Sequence, residues 1–179
     1  MGDGPVFALY DAFTSDAFGG SQAVIVTGAG DFDRAARTVL ARELGYPATA
    51  FVQAVEDDTI TVRFMSTVME LPMCGHGTVA LMTRLFEQGL IDVAGEGVSR
   101  FSLRLPNGTA TVDVTMSTDA RPQIMLEVDP PSFRDDQVDT ARLCHLLGLS
   151  PVDLCDDLPA ETVVGDFSHL VVPVKDLTH

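Results

Sequence analysis

A cysteine and a histidine lie two residues apart in the segment ELPMCGHGTVALM, which covers residues 70–82. Glycines flank His76 on both sides, and they allow the backbone to approach a ligand closely. A thiol and an imidazole at this spacing can move a proton to and from a carbon atom beside a carboxylate. Racemases, epimerases and isomerases use this chemistry, and we expect it to need no cofactor or metal.

The residues after this pair predict a buried helix. Between Thr78 and Gln88 the apolar side chains cover most of the helical circumference, which is typical of a helix surrounded by protein. The first amides of a helix lack internal partners and carry partial positive charge, so Gly75, Gly77 and Thr78 are predicted to bind a substrate carboxylate. The same field stabilises a thiolate, which predicts a lowered pKa for Cys74.

A second interpretation of the same segment is structural. A single cysteine beside an apolar run is often a small buried hydrophobic residue, and a lone histidine is often structural as well. The clustering of Cys74 and His76 with two glycines at a helix start favours catalysis. Both interpretations stay open on these residues alone.

The composition restricts the partners of the chain. It has 179 residues, 46% of them hydrophobic, which is enough for one domain with its own core. Its formal net charge of −15 repels nucleic acid and anionic membrane surfaces. The N-terminus lacks a basic stretch followed by an apolar one, and no apolar run reaches the length of about 18 residues that a membrane span needs. We therefore expect a cytoplasmic protein with neither nucleic acid nor membrane as a partner.

The three cysteines carry no further pattern. Cys74, Cys144 and Cys155 are odd in number and widely spaced, so the sequence predicts neither a disulfide framework nor a metal site.

Short strands are predicted over most of the chain, from alternating apolar residues bounded by turn signals. The Asn107-Gly108 pair predicts a hairpin between two of them. The predicted strands cover residues 6–13, 22–26, 49–55, 59–65, 100–105, 109–116, 123–128 and 169–174.

Helices are predicted over residues 33–44 and 136–147, each followed by a glycine, and a short one after Pro151. The apolar face of the first is predicted to consist of Ala36, Val39, Leu40 and Leu44. A strand-rich chain with one helix that is apolar all round predicts an α+β fold, in which a barrel-like curled sheet wraps around a central buried helix.

Four segments, in order along the chain, resemble the PhzF-like (phenazine biosynthesis F-type) isomerases of the diaminopimelate epimerase-like superfamily. They are DAFTSDAFGGSQAVIV (11–26), ARELGYPATAFV (41–52), VRFMSTVMELPMCGHGTVALMTRL (62–85) and HLVVPVKDL (169–177). The resemblance implies two lobes, each a β-barrel around a central helix, with the active cleft between the N-termini of the two helices. It further implies that residues 1–179 form the N-terminal lobe, and that the substrate is a small carboxylate-bearing molecule of secondary metabolism.

The resemblance also transfers residue roles and exposes two departures. The acid/base glutamate of the family falls on Ala48, which Thr49 follows, and the family asparagine of the Gly-Asn-Pro turn falls on Ser21, which Gln22 follows. These four positions are implied to line the substrate site.

Other positions match the family pattern. Gly75 and His76 are retained, and Cys74 is similar to the catalytic thiol of the epimerase and proline-racemase relatives. Glu70 precedes the matching Leu-Pro pair and is a candidate for facing the cleft. Cys74 and His76 are therefore the predicted catalytic residues.

Three hypotheses follow. In the first, another chain supplies the second lobe, either as an identical copy, which would place two Cys74 thiols across one cleft, or as a separately encoded half. In the second, the same cleft catalyses a cyclisation or rearrangement without the family glutamate. In the third, the chain is a non-catalytic lobe that binds a small molecule or stabilises a partner.

Overall fold

The structure is a computed structural model that describes residues 4–134, 138–165 and 167–176. The chain divides into two compact units, residues 1–128 and 129–179. The first unit contains the cysteine–histidine pair. The assignment of residues 1–179 to one lobe stays a prediction.

The described part of the first unit, residues 4–128, contains eight strands and two helices. Its strands are β1 (Val6–Ala12), β2 (Ser21–Thr27), β3 (Ala48–Glu56), β4 (Thr59–Met65), β5 (Glu70–Leu71), β6 (Ser99–Leu105), β7 (Gly108–Met116) and β8 (Pro122–Leu126). Its helices are α1 (Arg34–Leu44) and α2 (Gly75–Glu87). The seven strands predicted from the sequence for this part of the chain are confirmed, and the two-residue β5 is an addition.

These strands form one curled sheet in the order β1-β2-β3-β4-β6-β7-β8, with β5 attached to β4. The pairs β2–β3 and β4–β6 are parallel, and the other pairs are antiparallel. Helix α2 packs against β1, β2, β3 and β8, so the sheet curls around it. The predicted α+β fold with a curled sheet around a central helix is confirmed.

Helix α2 begins directly after Cys74, whose own backbone is extended, at φ −147° and ψ 108°. Its buried side chains, Leu81, Met82 and Leu85 among them, lie in one core cluster with Phe64 of β4 and Phe101 of β6. Burial of this apolar surface, worth about 25 cal/mol per Å², stabilises the helix in the middle of the sheet. The position of α2 therefore follows from its apolar circumference.

Helix α1 has the predicted ends. The Asp33 side chain accepts a hydrogen bond of 2.7 Å from the N–H of Ala36, and Gly45 ends the helix in the left-handed conformation at φ 74°. Both features satisfy backbone groups that a helix leaves unpaired at its termini.

The buried face of α1 is rotated from the predicted one. Ala41 and Arg37 are buried, whereas Val39 is 50% exposed and Ala36 is also exposed, so the prediction was wrong for these last two. The Arg37 guanidinium donates to the Phe32 carbonyl, which allows its aliphatic stem to be buried. A pattern that counts only apolar residues does not detect this contribution.

The second unit is smaller. Strands β9 (Ser132–Arg134), β10 (Glu161–Val164) and β11 (Ser168–Val171) form an antiparallel sheet in the order β11-β10-β9. Helix α3 (Thr140–Leu147) begins after Asp139, and residues 136–137 of the predicted helix lie outside the described residues. Along the described part of the chain, no helix is both long and apolar enough to cross a membrane.

Candidate active site

The structure brings Cys74 and His76 together at the first turn of α2. The Cys74 Sγ atom lies 3.6 Å from Nδ1 and 3.8 Å from Nε2 of the imidazole, within hydrogen-bonding reach of sulfur. The backbone N–H of Gly77 faces the thiol electrostatically, although the Cys74 side chain makes no capping hydrogen bond to the helix. Within residues 4–134, 138–165 and 167–176, no three His, Cys, Asp or Glu side chains are arranged to hold a metal ion.

Burial determines the protonation state of this pair. Cys74 is only 6% exposed, and its burial raises the pKa of the thiol, while the Gly77 N–H lowers it by a smaller amount. Burial also lowers the pKa of His76. The prediction of a lowered thiol pKa was therefore wrong, because loss of hydration outweighs the favourable field of the Gly77 amide in the first turn of the helix. At neutral pH the site holds a neutral thiol beside a neutral imidazole.

The raised thiol pKa predicts the pH dependence of alkylation. Iodoacetamide reacts with the thiolate, so labelling of Cys74 should still rise about tenfold per pH unit above the ordinary thiol pKa of about 8.5. Free cysteine in the same buffers should level off there. The measurement is the labelling rate of the Cys74 peptide by mass spectrometry, and a plateau below pH 8 would show that the helix field dominates.

Gly77 leaves the space that the thiol occupies. A Cβ atom at this position would lie 3.0 Å from Cys74 Sγ and 3.0 Å from the Phe64 ring, whereas a Cβ at Gly75 would have no neighbour within 4 Å. The glycine therefore lets the thiol sit between the first helical turn and the aromatic ring.

Substitution of the two glycines should have opposite effects. Gly77→Ala is expected to destabilise the protein by about 1–2 kcal/mol, because crowding of the thiol and the ring outweighs the better helix propensity of alanine. Gly75→Ala is the matched control and should be neutral or slightly stabilising. Urea unfolding of both variants tests this, and equal stabilities would contradict the crowding.

Ala48 and Thr78 lie inside the core around α2. Ala48 is fully buried at the start of β3, pairs with Ala23 of β2, and belongs to the same apolar cluster as Cys74. Thr78 is fully buried in the first turn of α2, and its hydroxyl has no hydrogen-bond partner among the described residues. Thr78 is close to the cysteine, because its N–H donates to the Cys74 carbonyl, and the predicted contact of both positions with substrate stays a prediction.

Thr49 lies on the opposite face of β3. Ala48 and Ala50 belong to the cluster around α2, whereas Phe51 belongs to the cluster beneath α1. Because side chains alternate along a strand, Thr49 shares the face of Phe51. The structure does not bring this residue toward Cys74.

Glu70 is held by two arginines. Its carboxylate lies 3.3 Å from Arg34 Nε and 3.9 Å from Arg63 Nε, and its side chain is 15% exposed. Each carboxylate oxygen thus has a cationic neighbour, and these two ion pairs give Glu70 a structural role. The proposed contact of Glu70 with substrate has no support in this geometry.

Ser21 and Gln22 begin strand β2 and pair with Ala12 and Asp11 at the end of β1. Asp11 was not predicted as a site residue, and its Oδ2 atom accepts a hydrogen bond of 2.9 Å from the N–H of Phe18. Its other oxygen, Oδ1, is buried without a hydrogen-bond partner in the described residues. The sequence signal that could have identified Asp11 is its carboxylate within an otherwise apolar strand.

The curled sheet around one helix, with a thiol and an imidazole at the start of that helix, places the chain in the class of epimerase-like folds. A hydroxyproline epimerase from Agrobacterium vitis, solved with bound trans-4-hydroxy-L-proline, superposes with a TM-score of 0.60 at 11% identity. The match covers 94% of this chain and 51% of that chain, and it shows a likeness of fold alone.

The sequence profile of the phenazine biosynthesis-like proteins, PhzC-PhzF, matches residues 10–179, and the chain belongs to this family. The crystal structure of a PhzF-family protein from Bacillus anthracis superposes with a TM-score of 0.81 at 26% identity, covering 96% of this chain and 56% of that one. The resemblance carried by the four sequence segments is confirmed.

Several curated relatives carry the names of isomerases. The uncharacterized isomerase YfhB of Bacillus subtilis is 29% identical over 94% of this chain and 56% of its own length. The uncharacterized isomerase YddE of Escherichia coli K12 is 29% identical over 92% of this chain and 54% of its own length. The chain thus spans about half the length of the curated relatives it matches.

Proposed function

We propose that the chain is one lobe of a cofactor-independent isomerase or epimerase that acts on a small carboxylate-bearing metabolite, and that a second lobe from another polypeptide completes its cleft. The observation that carries the proposal is the contact of 3.6 Å between Cys74 Sγ and His76 Nδ1 at the start of the buried helix α2. Membership of a family in which several relatives are named isomerases supports the reaction class.

The proposed mechanism uses one proton carrier from this lobe, Cys74 or His76, and a second carrier from the other lobe. Amides at the first turn of α2, at Gly75 and Gly77, hold the substrate carboxylate. A base removes the proton from the adjacent carbon, the electron pair of the C–H bond delocalises into the carboxylate, and an acid returns a proton to a carbon atom of the substrate. Burial brings the pKa of the Cys74 thiol closer to that of a carbon acid, which favours this transfer.

The residue at position 48 limits which side chains of this lobe can carry the proton. The resemblance assigns the family acid/base group to this position, and alanine cannot carry a proton. Cys74 or His76 therefore takes the role in this lobe, and the second lobe supplies the group on the other face of the substrate. The matched share of the relatives, 54–56%, leaves room for such a lobe.

Deuterium incorporation tests the proposal over a whole panel of candidate substrates. The chain is purified with its native partner and incubated in D₂O with small amino, hydroxy and unsaturated carboxylates. Proton NMR should show loss of the signal beside the carboxylate in at least one compound. Light scattering of the same sample distinguishes two identical chains from a separately encoded half.

The absence of the family glutamate at Ala48 favours one alternative, in which the cleft binds a carboxylate without abstracting a proton. Saturable binding of a carboxylate with no deuterium uptake in the complete complex would identify a binding lobe. A cyclised or rearranged product without deuterium exchange at the adjacent carbon would show that the cleft catalyses a cyclisation or rearrangement instead.

A further inference from the structure

The chain reaches Cys74 through a segment with few backbone hydrogen bonds. We call residues 66–74 the thiol segment, and it connects the end of β4 with the start of α2. Its strand β5 is two residues long and, in the part of the chain that the structure describes, pairs with β4 alone. Segments held by so short a ladder open locally at low free energy. The side chains of β5 therefore decide how firmly the thiol segment is held.

The two side chains of β5 anchor it on opposite faces of the sheet. Leu71 packs against the core cluster around α2. Glu70 is the cross-strand partner of Met65, which belongs to the cluster beneath α1. Because cross-strand partners share a face and neighbours along a strand alternate, the Glu70 carboxylate lies on the α1 side. It is thus the polar anchor of the thiol segment.

The Glu70 carboxylate connects the thiol segment with three other elements. Arg34, at 3.3 Å, is the first residue of α1, and Arg63, at 3.9 Å, lies in β4. The Arg63 Nη1 atom also donates to the Val62 carbonyl at 2.8 Å and to the Arg104 carbonyl of β6 at 3.1 Å. One carboxylate thus joins β5 to α1, to β4 and, through Arg63, to β6.

These ion pairs matter more for the thiol segment than for the whole fold. The Arg34 side chain is 76% exposed, so its ion pair is screened by solvent and adds little to global stability. Cys74, in contrast, is only 6% exposed, so a reagent reaches its sulfur atom when the segment opens. A small change in the free energy of this local opening changes the accessibility of the thiol directly.

We propose that Glu70 is a positioning residue, whose two arginine partners keep the thiol segment closed and thereby hold Cys74 against His76 at the first turn of α2. The inference rests on the proposed function for the role of the thiol. It gives Glu70 no contact with substrate, so the residue acts only through Cys74.

Alkylation of Cys74 by iodoacetamide at neutral pH tests the inference on the purified full chain. Glu70→Gln removes the charge with little change of shape. It should raise the labelling rate about three- to tenfold, the increase in local opening that loss of two partly exposed ion pairs produces. Asp113→Asn is the matched control, because it removes the 2.8 Å ion pair with Arg100 between β6 and β7 and should leave the rate unchanged.

Salt provides a readout that a general loss of stability would not produce. In about 1 M sodium chloride the screening length falls to about 3 Å, which weakens the exposed pair between Arg34 and Glu70. Labelling of Cys74 in the unmodified chain should therefore rise toward the rate of Glu70→Gln. The rate of Glu70→Gln itself should not respond to salt.

The native complex tests the consequence for proton transfer. Glu70→Gln should lower the rate of deuterium incorporation by about tenfold, because a small displacement of the proton carrier is costly, and should leave carboxylate binding unchanged. Loss of binding with an unchanged rate at saturation would show that Glu70 acts on the substrate and not on the thiol.

Equal labelling of Cys74 in the unmodified chain and in Glu70→Gln would overturn the inference, as would an equal rise in Asp113→Asn. If Glu70→Gln does not fold, Arg34→Gln replaces it, with an expected rise of about twofold for one exposed ion pair. Unchanged labelling in a protein whose native complex still exchanges substrate deuterium leaves the proposed function standing. Raised labelling with no deuterium uptake by any carboxylate leaves the anchoring of the thiol standing, and the isomerase proposal fails.

Discussion

Replacement of Cys74 by serine is expected to lower deuterium incorporation by about 10²–10⁴-fold, the usual contribution of a positioned acid or base. A serine hydroxyl is nearly isosteric with the thiol but is a much weaker acid, so it cannot exchange protons with carbon at the same rate. The thiol lies 3.6 Å from the imidazole of His76 in the native protein, so the two groups are close enough to share a proton. The measurement is the initial rate of signal loss in D₂O.

Cys155→Ser is the matched control, because this half-buried cysteine lies in the second unit and should leave the rate unchanged. Binding of the carboxylate should survive in both variants, since backbone amides hold it. If Cys74→Ser retains full deuterium uptake with binding intact, the thiol is not the proton carrier, and His76 must be tested in its place.

The largest effect on stability is expected at the centre of helix α2. Leu81 is fully buried in the core cluster that also contains Cys74, so Leu81→Ala should lower the free energy of unfolding by about 2–5 kcal/mol. The loss combines the removed apolar surface with the cavity left behind. Because α2 carries the site at its first turn, binding of the carboxylate should weaken at temperatures where the variant begins to unfold.

Val79→Ala is the control on the same helix. This side chain is half-buried and lines a cavity beside β1 and β8, and its truncation should cost about 1 kcal/mol or less, partly offset by the higher helix propensity of alanine. Urea denaturation of both variants provides the comparison. Similar losses at the two positions would mean that the helix is not embedded in the sheet.

Much of the first unit could be predicted because its signals are local. The apolar circumference of α2, the cap at Asp33, the glycine at position 45 and the Asn107-Gly108 turn each reflect a constraint within a few residues. The contact between Cys74 and His76 is also local, because Cys74 is the extended residue that precedes α2 and His76 lies in the first turn of the helix.

The second unit could be predicted less completely. The described part of α3 lies within the predicted helix and β11 overlaps the predicted strand over residues 169–171, but β9 and β10 were not predicted. Their short segments, three and four residues long, become strands only by pairing with one another and with β11. Such pairing joins residues far apart in sequence, which no local pattern records.

The sequence by itself determined that a curled sheet surrounds one helix and that a thiol and an imidazole meet at its first turn. The tertiary structure decided that the thiol is protonated, that Thr49 faces away from it, and that arginines hold Glu70. The reason is physical: pKa direction, the exposed face of a strand and the partner of a carboxylate all depend on desolvation and on neighbours from distant segments.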